Sequence, residues 1–106
     1  SNGNYSEIEL QEIFSGKKVL LAEDNPINMM VAEKLFQQMA PEIELLKAQN
    51  GEEAFHLYQQ YLPQLVLMDI NMPIMNGLDS TKAIRAYELA MGKNPTPILA
   101  LSAGSI

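Results

Sequence analysis

Three short apolar runs in this chain each give way to a residue that can do chemistry. Val19-Leu20-Leu21-Ala22 stops at Glu23-Asp24, Leu65-Val66-Leu67-Met68 stops at Asp69, and Ile98-Leu99-Ala100-Leu101 stops at Ser102. Runs of four apolar residues with abrupt polar ends are the pattern of strands in a parallel sheet covered on both faces. In an open parallel sheet all strand carboxyl ends share one edge, and ligands bind there at the point where the strand order reverses. Glu23, Asp24, Asp69 and Ser102 are therefore expected to converge. Three carboxylates brought together repel one another and raise their own pKa values unless a divalent cation neutralises them. Mg²⁺ suits such a site, because it accepts a few carboxylates, keeps water and bridges to phosphate oxygens. Taken alone, Asp69 is a turn former and Glu23-Asp24 are acids favoured by a helix dipole; together at one sheet edge they point to a metal.

The elements between these runs have helical patterns, so the chain alternates strand and helix as βα units do. Asn25 is a capping residue and Pro26 suits a first helical position; Ile27, Met30, Val31 and Leu35 then follow at helical spacing, and Pro41 closes the segment. Ile43-Glu44-Leu45 alternates, which marks a second strand with one wet face at the sheet edge. Asn50-Gly51 is expected to turn, and Ala54, Leu57, Tyr58 and Tyr61 form the next helical face, ended by Pro63. After Asp69 a loop through Gly77 leads to a helix over 78–91, stopped by Gly92. Residues 1–16 are expected to be a linker or cloning remnant, and residues 17–106 the single domain.

Bulk properties exclude several classes. The chain of 106 residues carries 13 acidic against 7 basic residues, a formal charge of -6, which disfavours direct binding to nucleic acid or to anionic lipid. There is no cysteine, and the single His56 lies off the apolar face of its helix, so neither a Cys-based zinc site nor a His-rich centre is available. No apolar run approaches the roughly 18 residues of a membrane span, and a cytoplasmic setting is expected. An EF-hand reading of Asp69-Ile70-Asn71 fails, because Pro73 stands where a ligand is needed.

From Lys17 to Ser102 the sequence resembles response-regulator receiver domains of two-component signalling. The resemblance is carried by Ala22-Glu23-Asp24-Asn25, by Leu65 through Asp69-Ile70-Asn71-Met72-Pro73-Ile74-Met75-Asn76-Gly77, and by Ala100-Leu101-Ser102-Ala103. Glu-Asp-Asn-Pro-Ile-Asn and Pro-Ile-Leu-Ala-Leu-Ser look most like receivers of hybrid sensor histidine kinases. It implies an α/β, flavodoxin-like, doubly wound parallel sheet. It also implies that Glu23, Asp24, Asp69 and the backbone carbonyl of Asn71 hold Mg²⁺, that Asp69 accepts a phosphoryl group from a phosphohistidine-bearing kinase or phosphotransfer domain, and that Ser102 is the switch hydroxyl. The chemistry is coherent on its own terms: a carboxylate attacks phosphorus, and a cation with hydrogen-bond donors stabilises the charged oxygens. Such a module signals by changing partner interactions and is not a conventional turnover enzyme.

Only four residues follow Ser102, so the resemblance implies a domain without its fourth helix, fifth strand and fifth helix. The lysine and the switch aromatic of the family fall in that part. The run Ile98-Leu101 is then an unprotected edge, and self-association through it is expected. Two other classes share the sheet: phosphatases or phosphotransferases with an aspartate nucleophile, and flavodoxin-like flavin binders. The first place the nucleophile after the first strand, and the second need a phosphate loop that Glu23-Asp24 would repel.

Overall fold

The computed structural model describes residues 15–101 together with Ser6 and Glu9. Most of the expected linker, and Ser102 itself, lie outside the described residues. The elements are β1 (Lys18–Ala22), α1 (Pro26–Met39), β2 (Glu44–Ala48), α2 (Gly51–Tyr61), β3 (Leu65–Asp69), α3 (Gly77–Met91) and β4 (Ile98–Leu101). They form one parallel sheet in the order β2-β1-β3-β4. The chain steps outward from β1 to β2, then returns across β1 to β3, so the strand order reverses between β1 and β3. Right-handed crossovers then place α1 on one face of the sheet and α2 with α3 on the other.

The central position of β1 explains its unbroken apolar run, for Val19, Leu20, Leu21 and Ala22 are all buried. At the edge, β2 alternates as expected, with Leu46 and Ala48 buried and Glu44 and Lys47 exposed. The main core lies on the α2–α3 side. There Leu20, Ala22, Leu46, Ala48, Val66 and Met68 of the sheet meet Ala54 and Tyr58 of α2 and Ile84 of α3.

Two local expectations change. Asn50-Gly51 is not a free turn: Asn50 caps α2, its side chain accepting from the Glu53 N–H at 2.8 Å, and Gly51 opens the helix. The sequence pattern favoured a turn because Asn and Gly serve both purposes. In α1 the stripe Ile27, Met30, Val31 and Leu35 marks the helix but not its packed face, for all four are exposed. The buried residue of the helix is instead Ala32, with Met29 and Phe36 half-buried. Both stripes are apolar, so spacing alone does not choose between them.

A buried polar cluster joins α2, α3 and the segment before β4. The Tyr58 hydroxyl donates to Glu88 Oε2 at 2.6 Å, the Thr96 N–H donates to the same oxygen at 2.8 Å, and Arg85 Nη1 donates to Glu88 Oε1 at 2.8 Å. Since Tyr58 gives its one proton to Glu88, Thr96 Oγ1 donates to Tyr58 across 3.2 Å. Lys93 Nζ lies 5.7 Å from the Tyr58 ring centroid. Burial by itself would raise the Glu88 pKa, but hydrogen bonds from Tyr58, Thr96 and Arg85 outweigh it and hold the carboxyl at about 2. The buried Tyr58 hydroxyl shifts upward, through loss of water and then through its carboxylate neighbour.

The depressed Glu88 value has a signed consequence. Between its ordinary value of 4.5 and about 2, the unfolded chain binds the proton that the folded chain refuses. The stabilisation is complete above about pH 4.5 and is lost as pH falls toward 2. It is worth on the order of 3 kcal/mol at neutral pH. Urea unfolding at pH 7 and pH 3 should show a stability difference that shrinks in Glu88→Gln. An equal pH dependence in the two proteins would contradict an ionised Glu88.

Candidate metal and phosphoacceptor site

At the carboxyl end of β1 the chain turns directly into α1. The Glu23 N–H still donates to the Ala48 carbonyl at 2.9 Å, continuing the sheet for one more bond. Asn25 then accepts from the Ile27 and Asn28 N–H groups at 2.9 and 3.1 Å, capping α1, while its own N–H donates to Glu23 Oε2 at 2.9 Å. This cap fixes the Glu23 carboxylate in a buried position and leaves Asp24 exposed. Burial raises the Glu23 pKa; the Asn25 N–H opposes that shift, and Asp69 and Asp24 add to it.

Across the strand reversal, β3 ends with the half-buried Asp69, and the Asn71 N–H donates to its Oδ1 at 3.2 Å. Ligand oxygens of Glu23, Asp24 and Asp69 all lie within 4.8 Å of one another. The three acids singled out in the sequence are thus brought together; Asn71 lies two residues beyond Asp69 and is exposed, and Ser102 lies outside the described residues. A set of oxygen donors, one of them buried and reluctant to ionise beside two more acids, fits a hard divalent cation. His56 is exposed and 3.9 Å from Glu52, away from this cluster.

The loop after Asp69 is fastened at several points. Met72 is buried in the core, the Gly77 N–H donates to the Ile70 carbonyl at 2.8 Å, and the Gly51 N–H donates to the Met75 carbonyl at 2.8 Å. Between them the Met75 N–H returns to the Pro73 carbonyl at 2.7 Å, a γ-turn with Ile74 at its centre at φ 71°. A β-branched residue in that region is strained, and nothing in the sequence pattern marked it. The buried Ser80 hydroxyl donates to the Gly51 carbonyl at 2.7 Å and ties α3 to α2 beneath the loop. The polar cluster around Glu88 was likewise missed; the only local sign of it is the spacing of Arg85 and Glu88, three residues apart on one helix.

The family model for the response regulator receiver domain matches residues 19–105. The chain belongs to this family, a receiver domain of two-component phosphorelay signalling. Among curated relatives, histidine kinase 5 of Arabidopsis thaliana is 42% identical over 83 residues, which is 78% of this chain and 9% of that protein. The receiver domain of the A. thaliana histidine kinase CKI1, solved with Mg²⁺ and BeF₃⁻, superposes with a TM-score of 0.77 at 31% identity, covering 88% of this chain and 70% of that one. The Saccharomyces cerevisiae Ssk1 receiver, solved with the phosphotransfer protein Ypd1, gives 0.71 at 26% identity, covering 84% and 63%. The chain spans no more than 22% of the length of the first curated relatives it matches.

Gly77 is required by the approach of α3 to the end of β3: a Cβ there would overlap the Asp69 carbonyl oxygen. Gly77→Ala should therefore destabilise the domain by about 2 kcal/mol or more, as overpacking against immobile backbone does. A lowered urea midpoint would register this. An unchanged midpoint would mean that the loop does not close against Asp69 in solution.

Proposed function

We propose that the domain formed by residues 17–106 accepts a phosphoryl group on Asp69, from a phosphohistidine donor, with Mg²⁺ held by Glu23, Asp24, Asp69 and the backbone carbonyl of Asn71. The convergence of the three acids within 4.8 Å carries this reading. When bound, Mg²⁺ would offset the charge of the acids and of the incoming phosphoryl oxygens. Asp69 then supplies the nucleophile: its carboxylate oxygen forms the new bond to phosphorus as the bond to the imidazole nitrogen breaks, the electron pair staying on that nitrogen. The Asn71 N–H, bonded to Oδ1, keeps the carboxylate oriented. Ser102 is assigned the hydroxyl that senses the new group.

The donor needs a surface to dock on, and the outer stripe of α1 supports one. Ile27, Met30, Val31 and Leu35 are exposed on the helix that starts two residues after Asp24. Single exposed apolar residues need no explanation, but four along one helix beside a reactive site do. We assign this face to a phosphotransfer or kinase domain, the class of partner that the Ssk1 receiver is solved with. On the same reading the parent protein is a hybrid sensor histidine kinase and the domain works in the cytoplasm. None of the described helices is long and apolar enough to cross a membrane.

Three outcomes test these assignments. In the full-length protein, a phosphohistidine protein or acetyl phosphate should label Asp69 as an alkali-labile acyl phosphate, and Asp69→Asn should abolish the label; labelling at another residue would sink the mechanism. Calorimetric titration with Mg²⁺ should show binding that weakens by about tenfold in Asp24→Asn, as loss of a ligand charge requires. Unchanged affinity would remove Asp24 from the ligand set. Self-association of the present chain through β4, which exposes Leu99 and among the described residues is bonded to β3 alone, should give concentration-dependent light scattering that Leu99→Lys suppresses.

A further inference from the structure

Ser80 is fully buried in the first turn of α3, where serine is a poorer helix former than alanine and where a hydroxyl without a partner would cost more than a methyl group. Its Oγ donates across 2.7 Å to the carbonyl of Gly51, the first residue of α2 and twenty-nine positions earlier. That carbonyl does not depend on the bond, because the first C=O of an α-helix is already taken by the N–H four positions on. What the bond adds is a fixed distance and direction between the first turns of two helices.

The same residue of α2 reaches the loop after Asp69. The Gly51 N–H donates to the Met75 carbonyl at 2.8 Å, and a Cβ on Gly51 would collide with the carbonyls of Met75 and Asn76. The loop therefore hangs from Gly51 with no room to spare. It is held there against resistance, for Ile74 sits at φ 71°, and its exposed side chain gains no packing that would offset the strain. Such strain persists only where the surroundings over-determine it. Here the surroundings are two anchors, the Gly51 N–H on Met75 and the Gly77 N–H on Ile70 at 2.8 Å. Between them lies Asn71, whose N–H donates to Asp69 Oδ1.

We propose that Ser80 and Gly51 are positioning residues for the metal site: Ser80 locks Gly51 to α3, Gly51 suspends the loop at Met75, and the loop so held presents Asp69 and the Asn71 carbonyl to Mg²⁺. This rests on the reading in which those groups hold the cation. Without the hydroxyl, the first turns of α2 and α3 can slide past each other. Gly51 then moves with α2, and the loop relaxes away from the positive φ at Ile74.

Hydrogen exchange over residues 69–77 of the full-length protein, followed against Mg²⁺ concentration, reads both the opening of the metal-free loop and the Mg²⁺ dissociation constant at this site. Ser80→Ala should speed the metal-free exchange and raise the constant by about tenfold, the scale on which losing a group that orients a metal ligand acts. Its urea midpoint should stay near the wild-type value, because alanine gains helix propensity as the bond is lost. Adding Ile74→Gly to Ser80→Ala should return most of the lost affinity, since glycine accepts a positive φ and nothing then pulls the loop away. Gly51→Ala should weaken Mg²⁺ binding at least as much, and Ile74→Gly should not rescue it, because there the Met75 carbonyl is displaced by contact. Ser80→Ala removes only a hydroxyl and keeps the test open should Gly51→Ala not fold. A wild-type constant in Ser80→Ala, or a loss that Ile74→Gly leaves untouched, would overturn the positioning role while leaving the three acids as the site. Wild-type protein whose residues 69–77 do not respond to Mg²⁺ would overturn both.

Discussion

Ala22 and Met68 are register partners in adjacent parallel strands, so Glu23-Asp24 and Asp69 leave the sheet side by side. Their own charges oppose this arrangement. Two unit charges about 5 Å apart at an effective dielectric of about 20 repel by about 3 kcal/mol. What holds them is the burial of the strands behind them: Val19, Leu20, Leu21, Val66 and Met68 are buried, and each such side chain contributes about 1.5–3 kcal/mol. The site is thus a strained product of a well-packed sheet. Burial first, and then the neighbouring acids, draw the Glu23 pKa upward, whereas a bound cation would let all the acids stay charged.

The two halves of the sheet edge are built differently. The β1 and β3 half is rigid, with buried strands, a capping Asn25 tied to Glu23, and a loop stapled to α2 and α3 through Gly51, Gly77 and Ser80. Among the described residues no buried side-chain nitrogen or oxygen lacks a partner, so little slack is available there. Among the described residues β4 is a strand of four residues laddered to β3. On the proposed phosphoacceptor reading, Asp69 would gain from the fixed geometry of the β1 and β3 half.

Where the physics was local, the sequence carried it. The strands, the reversal that gathers the acids, and the helix stops at Pro41, Pro63 and Gly92 all follow from apolar runs and breakers, and the family motifs lie on those same segments. Long-range packing was less legible. Two apolar stripes wind around α1, and only the finished sheet decides that Ala32 is inside and Val31 outside. Ile74 at φ 71° has a side chain that argues against its own backbone. Glu88 reads as a solvated helix charge until Tyr58, thirty positions earlier, and Thr96, eight later, are found against it.

The Glu88 cluster also shows why a buried ion was kept where an apolar residue would pack. Replacing a buried charged network by hydrophobic side chains is often neutral or favourable for stability, so stability alone does not account for it. What an apolar contact lacks is direction. Leu or Met at position 88 could fill space beside Tyr58 equally well with β4 shifted by a residue, because dispersion contacts tolerate sliding. A carboxylate with Tyr58, Arg85 and the Thr96 N–H all aimed at it has one satisfactory arrangement, and each displaced placement strands a buried donor or acceptor. The cluster therefore converts a small displacement of Thr96 into an unsatisfied buried charge.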